Sequence, residues 1–276
     1  MSDRFLYLFI FFFPAFSCSL SLQTRLCWEL LGDAYIGRGS FVAALKAFKQ
    51  ALEIEPSAVY CQYRIGMIHH VLGNLAESVQ CHRDVIARAP RYFSALFDLA
   101  ETLYTMAQQY LDFGQTLRAA TCVEEAISSL DQALSITSAY KCVWKLLGDL
   151  CTFAHFLPSS AVAAIVIGPN LTALQNESYN ASAVGVPSSS PMSSVHLLQI
   201  GALCFRKYIA LEESSAVLCD LSANLLYQGG ATKNETLTQT AVEVAQRAVA
   251  LQPTDSNAWI TLGSVCTAAK VRIALE

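Results

Sequence analysis

The sequence predicts an all-α chain, a right-handed α-solenoid of helix–turn–helix repeats. Three observations carry that prediction. All 3 tryptophans lie in one pentapeptide pattern, WELLG at 28–32, WKLLG at 144–148 and WITLG at 259–263, each with leucine three residues and glycine four residues after the tryptophan. Landmarks recur at a fixed period: Gly32 to Gly66 is 66 − 32 = 34 residues, and Pro56 to Pro90 is 90 − 56 = 34. Self-similarity at such a period marks a stack of small helical units. Finally, no stretch alternates apolar and polar residues as a half-buried strand would.

The first repeat is LCWELLGDAYIGRGSFVAALKAFKQALEIEP. Trp28, Leu31, Gly32 and Tyr35 fall at i, i+3, i+4 and i+7, one face of a helix. Gly39 ends that helix. A second helix carries Ala44, Phe48 and Ala51 on one face, and Pro56 follows its end. Packing explains the residue types: Trp28 and Tyr35 fill the gap between the helices, while Gly32 and Ala44 are small where the backbones cross. This pattern resembles the tetratricopeptide repeat, a helix–turn–helix of about 34 residues.

The second repeat has Gln62 in place of the tryptophan, and Ile65, Gly66, Gly73 and Pro90 carry its signature. The third begins near Arg91 with FSALFDLAETLYTMAQQY and AATCVEEAISSLDQALSI. Placing Ala126, Leu130 and Ala133 inward leaves about fourteen surplus residues, which predicts longer helices rather than a lost repeat. VWKLLGDLCTFAHF, with Trp144, Leu147 and Gly148, opens the fourth. Residues 157–195, rich in Ser, Pro, Asn and Gly, then read as an insertion disordered over most of its length. The apolar AVAAIVIG within it is suited to local docking. HLLQIGALCFRKYIAL resumes the fourth repeat. The fifth is AVLCDLSANLLYQ, a turn at Gly229–Gly230, and LTQTAVEVAQRAVALQP, closed by Pro253. SNAWITLGSVCTAAK, with Trp259, Leu262 and Gly263, supplies the first helix of a sixth. The expected organisation is therefore repeats 1–3 and the first helix of repeat 4 over 24–156, the insertion over 157–195, and the remaining helices over 196–270.

The two ends read differently. Residues 1–23 are an apolar leader or an intron-derived segment, and 271–276 are a tail. RFLYLFIFFFPAFSCSLSLQ fits a secretory signal; as a membrane anchor, Phe5 to Phe16 is short of the roughly 20 residues of a full span. Four sequons, at Asn170, Asn176, Asn180 and Asn234, would be usable in a secreted chain. Equally, Phe, Leu, Ser and Pro have pyrimidine-rich codons, as the 3′ end of a translated intron would, and KVR at 270–272 can be encoded as a read-through splice donor. On that reading the chain is a fragment of a longer repeat protein.

Composition narrows the function. A net charge of −4 with 14% charged residues offers no phosphate track, so direct nucleic-acid binding is not expected. The 10 cysteines form no C-x-x-C pair, which removes zinc and thioredoxin-like readings. His69 and His70 lack further ligands at helical spacing, so no metal and no cofactor are expected. No nucleophile triad or phosphate loop occurs, and the chain reads as non-enzymatic. The candidate binding surface is the groove formed by first helices. Its expected lining is Glu29 and Asp33 in repeat 1, Tyr63, Met67 and His70 in repeat 2, and Phe97, Glu101 and Tyr104 in repeat 3. Tyr and Met beside acidic groups suit an extended or helical peptide.

Within the repeat family, LGDAYIGRGSFVAALKAFKQALEIEP, CVWKLLGDLCT and LCDLSANLLYQ resemble the large tetratricopeptide subunits of superkiller complexes. That resemblance implies a cytoplasmic scaffold, with a nuclear pool as a further option, which holds an RNA helicase and WD40-repeat subunits and serves messenger RNA decay by the exosome. It implies no active site. Two alternatives stay open: a co-chaperone-like receptor for peptide C-termini, disfavoured by Glu29 and Asp33 where such receptors carry cations, and a secreted or luminal repeat glycoprotein.

Overall fold

A computed structural model describes residues 25–180 and 193–269. The leader, residues 181–192 and the tail, with the expectations placed on them, lie outside the described residues. The described residues form helices α1 (Arg25–Gly37), α2 (Phe41–Ile54), α3 (Val59–Val71), α4 (Leu75–Arg88), α5 (Phe93–Asp112), α6 (Thr116–Ile136) and α7 (Lys141–Phe153). A 3₁₀ turn (Ala154–Phe156) leads to α8 (Ser159–Val162) and α9 (Pro169–Asn180). Then come α10 (Ser194–Leu211), α11 (Ser215–Thr232), α12 (Glu235–Leu251) and α13 (Ser256–Ala269). The fold is all-α, and no strand occurs among the described residues. The chain divides into two compact units, Met1–Thr102 and Leu103–Glu276, with the boundary inside α5.

In the first unit, α1 packs on α2 and α3 on α4, each pair closed by a glycine in the left-handed region, Gly39 at φ 72° and Gly73 at φ 78°. That conformation suits glycine, which has no Cβ to clash. Ala44, Phe48 and Ala51 are fully buried and share a core with Ala58, Cys61, Ile65 and Ile68 of the next hairpin, against which Trp28 and Tyr35 pack. Arg88 at the end of α4 donates to the Pro56 carbonyl (2.8 Å), tying the exits of two successive repeats together.

One contact defines the repeat. The Phe48 ring lies so close to Gly32 that a Cβ there would sit 2.6 Å from it. His82 stands in the same relation to Gly66 at 2.8 Å, and Phe205 to Gly148 at 2.5 Å. In repeats 1 and 2 the ring follows the glycine by 16 residues (48 − 32 and 82 − 66); in repeat 4 it follows by 57 (205 − 148). The fourth repeat is thus an ordinary hairpin, α7 on α10, interrupted by 57 − 16 = 41 inserted residues. At Gly263 no side chain of the described residues occupies the corresponding place.

The tryptophans have a second role that the packing argument missed. Trp144 donates its indole N–H to the Ser138 carbonyl (2.9 Å), and Trp259 donates to the Pro253 carbonyl (2.8 Å). In both, the ring reaches back six residues and fastens the helix to the turn before it. The N–H is satisfied both at the buried Trp144 and at the exposed Trp259.

Two expectations need correction. Residues 157–180 are not an unstructured loop. Leu157, Ala161, Val162, Ile165, Leu171 and Leu174 are buried, and α8 and α9 pack on α6, with α9 also touching α10. Asp131, buried on α6, organises the docking: its carboxylate accepts from the Leu171 N–H (3.0 Å) and the Asn170 side-chain amide (3.1 Å), and its carbonyl accepts from that amide as well (2.9 Å). The Leu171 bond satisfies a backbone N–H in the first turn of α9, which has no partner within that helix, and the Asn170 amide adds two side-chain bonds. The local docking expected of AVAAIVIG is seen at Ala161, Val162 and Ile165; the Ser, Pro and Asn content hid the helix that follows it. Likewise Gly229 and Gly230 do not form a turn. They lie within α11, and the reversal falls at Lys233 (φ 52°) and Asn234, whose side chain caps α12 by accepting from the Thr236 N–H (3.0 Å). Gly229 is instead a close approach, where a Cβ would lie 2.5 Å from Thr238 on α12.

A buried polar chain pins the second unit. Gln228 donates to the Leu198 carbonyl (3.0 Å) and to Asn224 (2.7 Å), and Asn224 donates to the Thr152 hydroxyl (2.7 Å). These bonds join α7, α10 and α11, and buried groups left without them would carry a desolvation cost.

Candidate functional site

The first helices of the repeats, α1, α3 and the start of α5, place Glu29, Asp33, Tyr63, Met67, His70, Phe97 and Glu101 in the first unit. Several of these side chains are already engaged with one another. Glu29 is 8% exposed. It pairs with Arg25 (3.2 Å) and accepts from the Cys61 thiol (3.0 Å), and burial followed by that bond pushes the thiol up to about 12. Arg25 also pairs with Glu55 (3.0 Å). Asp33 pairs with Arg64 (2.6 Å) and accepts from the Tyr60 hydroxyl (2.8 Å). Arg64 in turn lies over the rings of Phe48 (5.9 Å) and Tyr60 (5.7 Å). The two carboxylates expected to line the groove in repeat 1 are therefore engaged, because α3 supplies donors to both.

Repeat 2 contributes an aromatic surface. Tyr63 packs on Tyr92 (5.2 Å between centroids) and is hydrogen-bonded to Asp98. Burial raises the Asp98 carboxyl to about 6, against the opposing effect of the Tyr63 bond. The Nδ1 of His70 is hydrogen-bonded to the Thr102 hydroxyl (2.9 Å), and His69 faces Asn74 (3.4 Å). The adjacent histidines thus point to separate partners. Among the described residues no group of three His, Cys, Asp or Glu side chains could hold a metal ion.

Tyr104 lies in the second unit, edge-on to Phe153 (5.6 Å). That unit carries a charged bridge the sequence reading did not single out: Lys145 on α7 pairs with Asp149 (2.8 Å) and with Asp220 on α11 (3.2 Å). A signal for it existed. Glu29 and Asp33 lie three before and one after Gly32, Tyr63 and Met67 hold the same offsets from Gly66, and Lys145 and Asp149 hold them from Gly148. Nearby, His155 stacks on Tyr227 (5.5 Å), and Phe156 meets that ring edge-on (5.4 Å) while remaining about half exposed. Exposed aromatic rings beside fixed charges suit protein recognition.

Residues 29–81 match the tetratricopeptide repeat model. The chain is 29% identical over 247 residues to Tetratricopeptide repeat protein 37 of Xenopus laevis, and 28% identical over 247 residues to Superkiller complex protein 3 of Homo sapiens. Each similarity covers 87% of this chain and 15% of the relative, so the chain spans about a seventh of the length of the curated relatives it matches. Among solved structures, MamA of Desulfovibrio magneticus RS-1 superposes with a TM-score of 0.57 at 15% identity, covering 84% of this chain and 97% of that one. The matched segment, residues 29–81, is of the tetratricopeptide repeat type, and the likeness to solved structures extends to the helical-hairpin fold.

Proposed function

We propose that this tetratricopeptide segment is a non-catalytic scaffold of a superkiller-type complex, holding an RNA helicase and WD40-repeat proteins for cytoplasmic messenger RNA decay with the exosome. The observation that carries the reading is the similarity to Superkiller complex protein 3 over 87% of the chain. The site supports it. Its charges are largely paired with one another, its rings are partly exposed, and no cationic track runs along it, which favours protein over phosphate as ligand. No described helix is long and apolar enough to cross a membrane.

The alternatives fare less well. A receptor for peptide C-termini needs unpaired cations in the groove, whereas Arg64 is held by Asp33. A secreted glycoprotein would carry sugar on the Asn170 amide that Asp131 accepts, so a glycan there would undo the docking of α9.

Fluorescence anisotropy on the purified chain tests the reading. Neither single-stranded RNA nor peptides with acidic C-termini are expected to bind saturably. Salt-sensitive RNA binding would replace the scaffold with a direct nucleic-acid role, and peptide binding that weakens with salt would restore the receptor.

A further inference from the structure

His82 occupies the socket that Phe48 and Phe205 fill in their own repeats. It is 0% exposed, wedged against Gly66, and neither ring nitrogen has a hydrogen-bond partner. A phenylalanine there has no proton to gain. An imidazole does, and an imidazolium buried without an acceptor is strongly disfavoured. We propose that repeat 2 is an acid-sensitive joint, in which protonation of His82 drives its ring from the Gly66 socket and loosens α3 from α4.

The surroundings support this. Tyr63 packs on the ring (5.9 Å) and His70, also on α3, acts on it electrostatically; Ser78, near it in sequence on its own helix, and Thr102 on α5, reached through His70, are buried. Ser78 and Thr102 are bonded to each other (3.4 Å), and His70 is bonded to Thr102. Among the described residues no carboxylate acts on the ring directly; Asp98 reaches this group through the Tyr63 hydroxyl and through the charge of His70. Burial, reinforced by His70, lowers the His82 proton affinity from 6.5 to about 4. Because the folded value is depressed, the unfolded or opened form takes up the proton first. Stability is complete above about pH 6.5 and falls as the pH drops toward 4. Asp98 acts oppositely: its raised value, about 6, adds stability as the pH falls below 6. His69 on α3, also lowered by burial, acts in the same direction as His82, so the pH response of the native protein combines several groups and only removal of His82 isolates its part.

The test is amide hydrogen exchange of α3 and α4 in the full chain, native and His82→Phe, at pH 7.5 and pH 5.0, with rates corrected for intrinsic pH dependence. From 6.5 and about 4, opening at pH 5.0 should rise by (1 + 10^1.5)/(1 + 10^−1), about 30-fold, more in the native protein than in the variant. Equal pH responses in the two proteins would overturn the proposal. A second measurement does not depend on the variant: NMR titration of the folded native chain should leave the His82 imidazole neutral down to pH 5. Titration of His82 near 6.5 with no change in α3 and α4 would overturn it as well.

Discussion

Phe205→Ala is expected to destabilise the second unit by about 3–5 kcal/mol, the cost of deleting a buried ring and leaving its cavity. Phe205 is 1% exposed, on Gly148 of α7. Urea unfolding followed by Trp144 fluorescence measures the loss. Gly148→Ala should also destabilise, by about 1–3 kcal/mol, since its Cβ would enter the ring's space. The double variant should cost less than the sum of the two, because the methyl group added at position 148 then occupies room that the Phe205 ring has left. Strict additivity would mean that the two residues do not meet and that α7 and α10 are not halves of one repeat.

Glu29→Lys should cost the first unit about 2–3 kcal/mol, somewhat below the cost of breaking a fully buried pair because Arg25 retains partial exposure. The new ammonium would face Arg25 and remove the acceptor of the Cys61 thiol. The guanidinium would keep Glu55, which limits the loss. Thermal unfolding by circular dichroism reads the effect. A melting temperature equal to that of the native chain would return Glu29 to a solvated groove position and reopen the charge argument against peptide receptors.

The architecture was legible because its determinants are short-range. A tryptophan, leucine and glycine on one helical face, and an alanine and aromatic ring on the next, state a hairpin within about 34 residues. The fourth repeat could still be followed across its insertion because Gly148 and the LCFRKY segment retain that face. Residues 157–180 were legible only in part: the local docking expected of AVAAIVIG is seen at the buried Ala161, Val162 and Ile165, while the helix α9 was not expected. Their apolar residues answer to Asp131 and α6, about forty positions earlier in the chain, and no local periodicity encodes that need for acceptors. The groove was half legible. Position identified Asp33 and Glu29 as lying on the first helices, but their pairing with Arg64, Tyr60 and Cys61 depends on the neighbouring repeat. His82 shows the same limit: its spacing from Gly66 marks the socket, while its lack of partners emerges only from packing.

The most direct measurement of the scaffold claim is affinity purification of the full-length parent protein from cells, with the recovered proteins identified by mass spectrometry. An RNA helicase and WD40-repeat proteins recovered together in near-stoichiometric amounts are the expected result. Recovery of heat-shock chaperones without either of them would contradict the account.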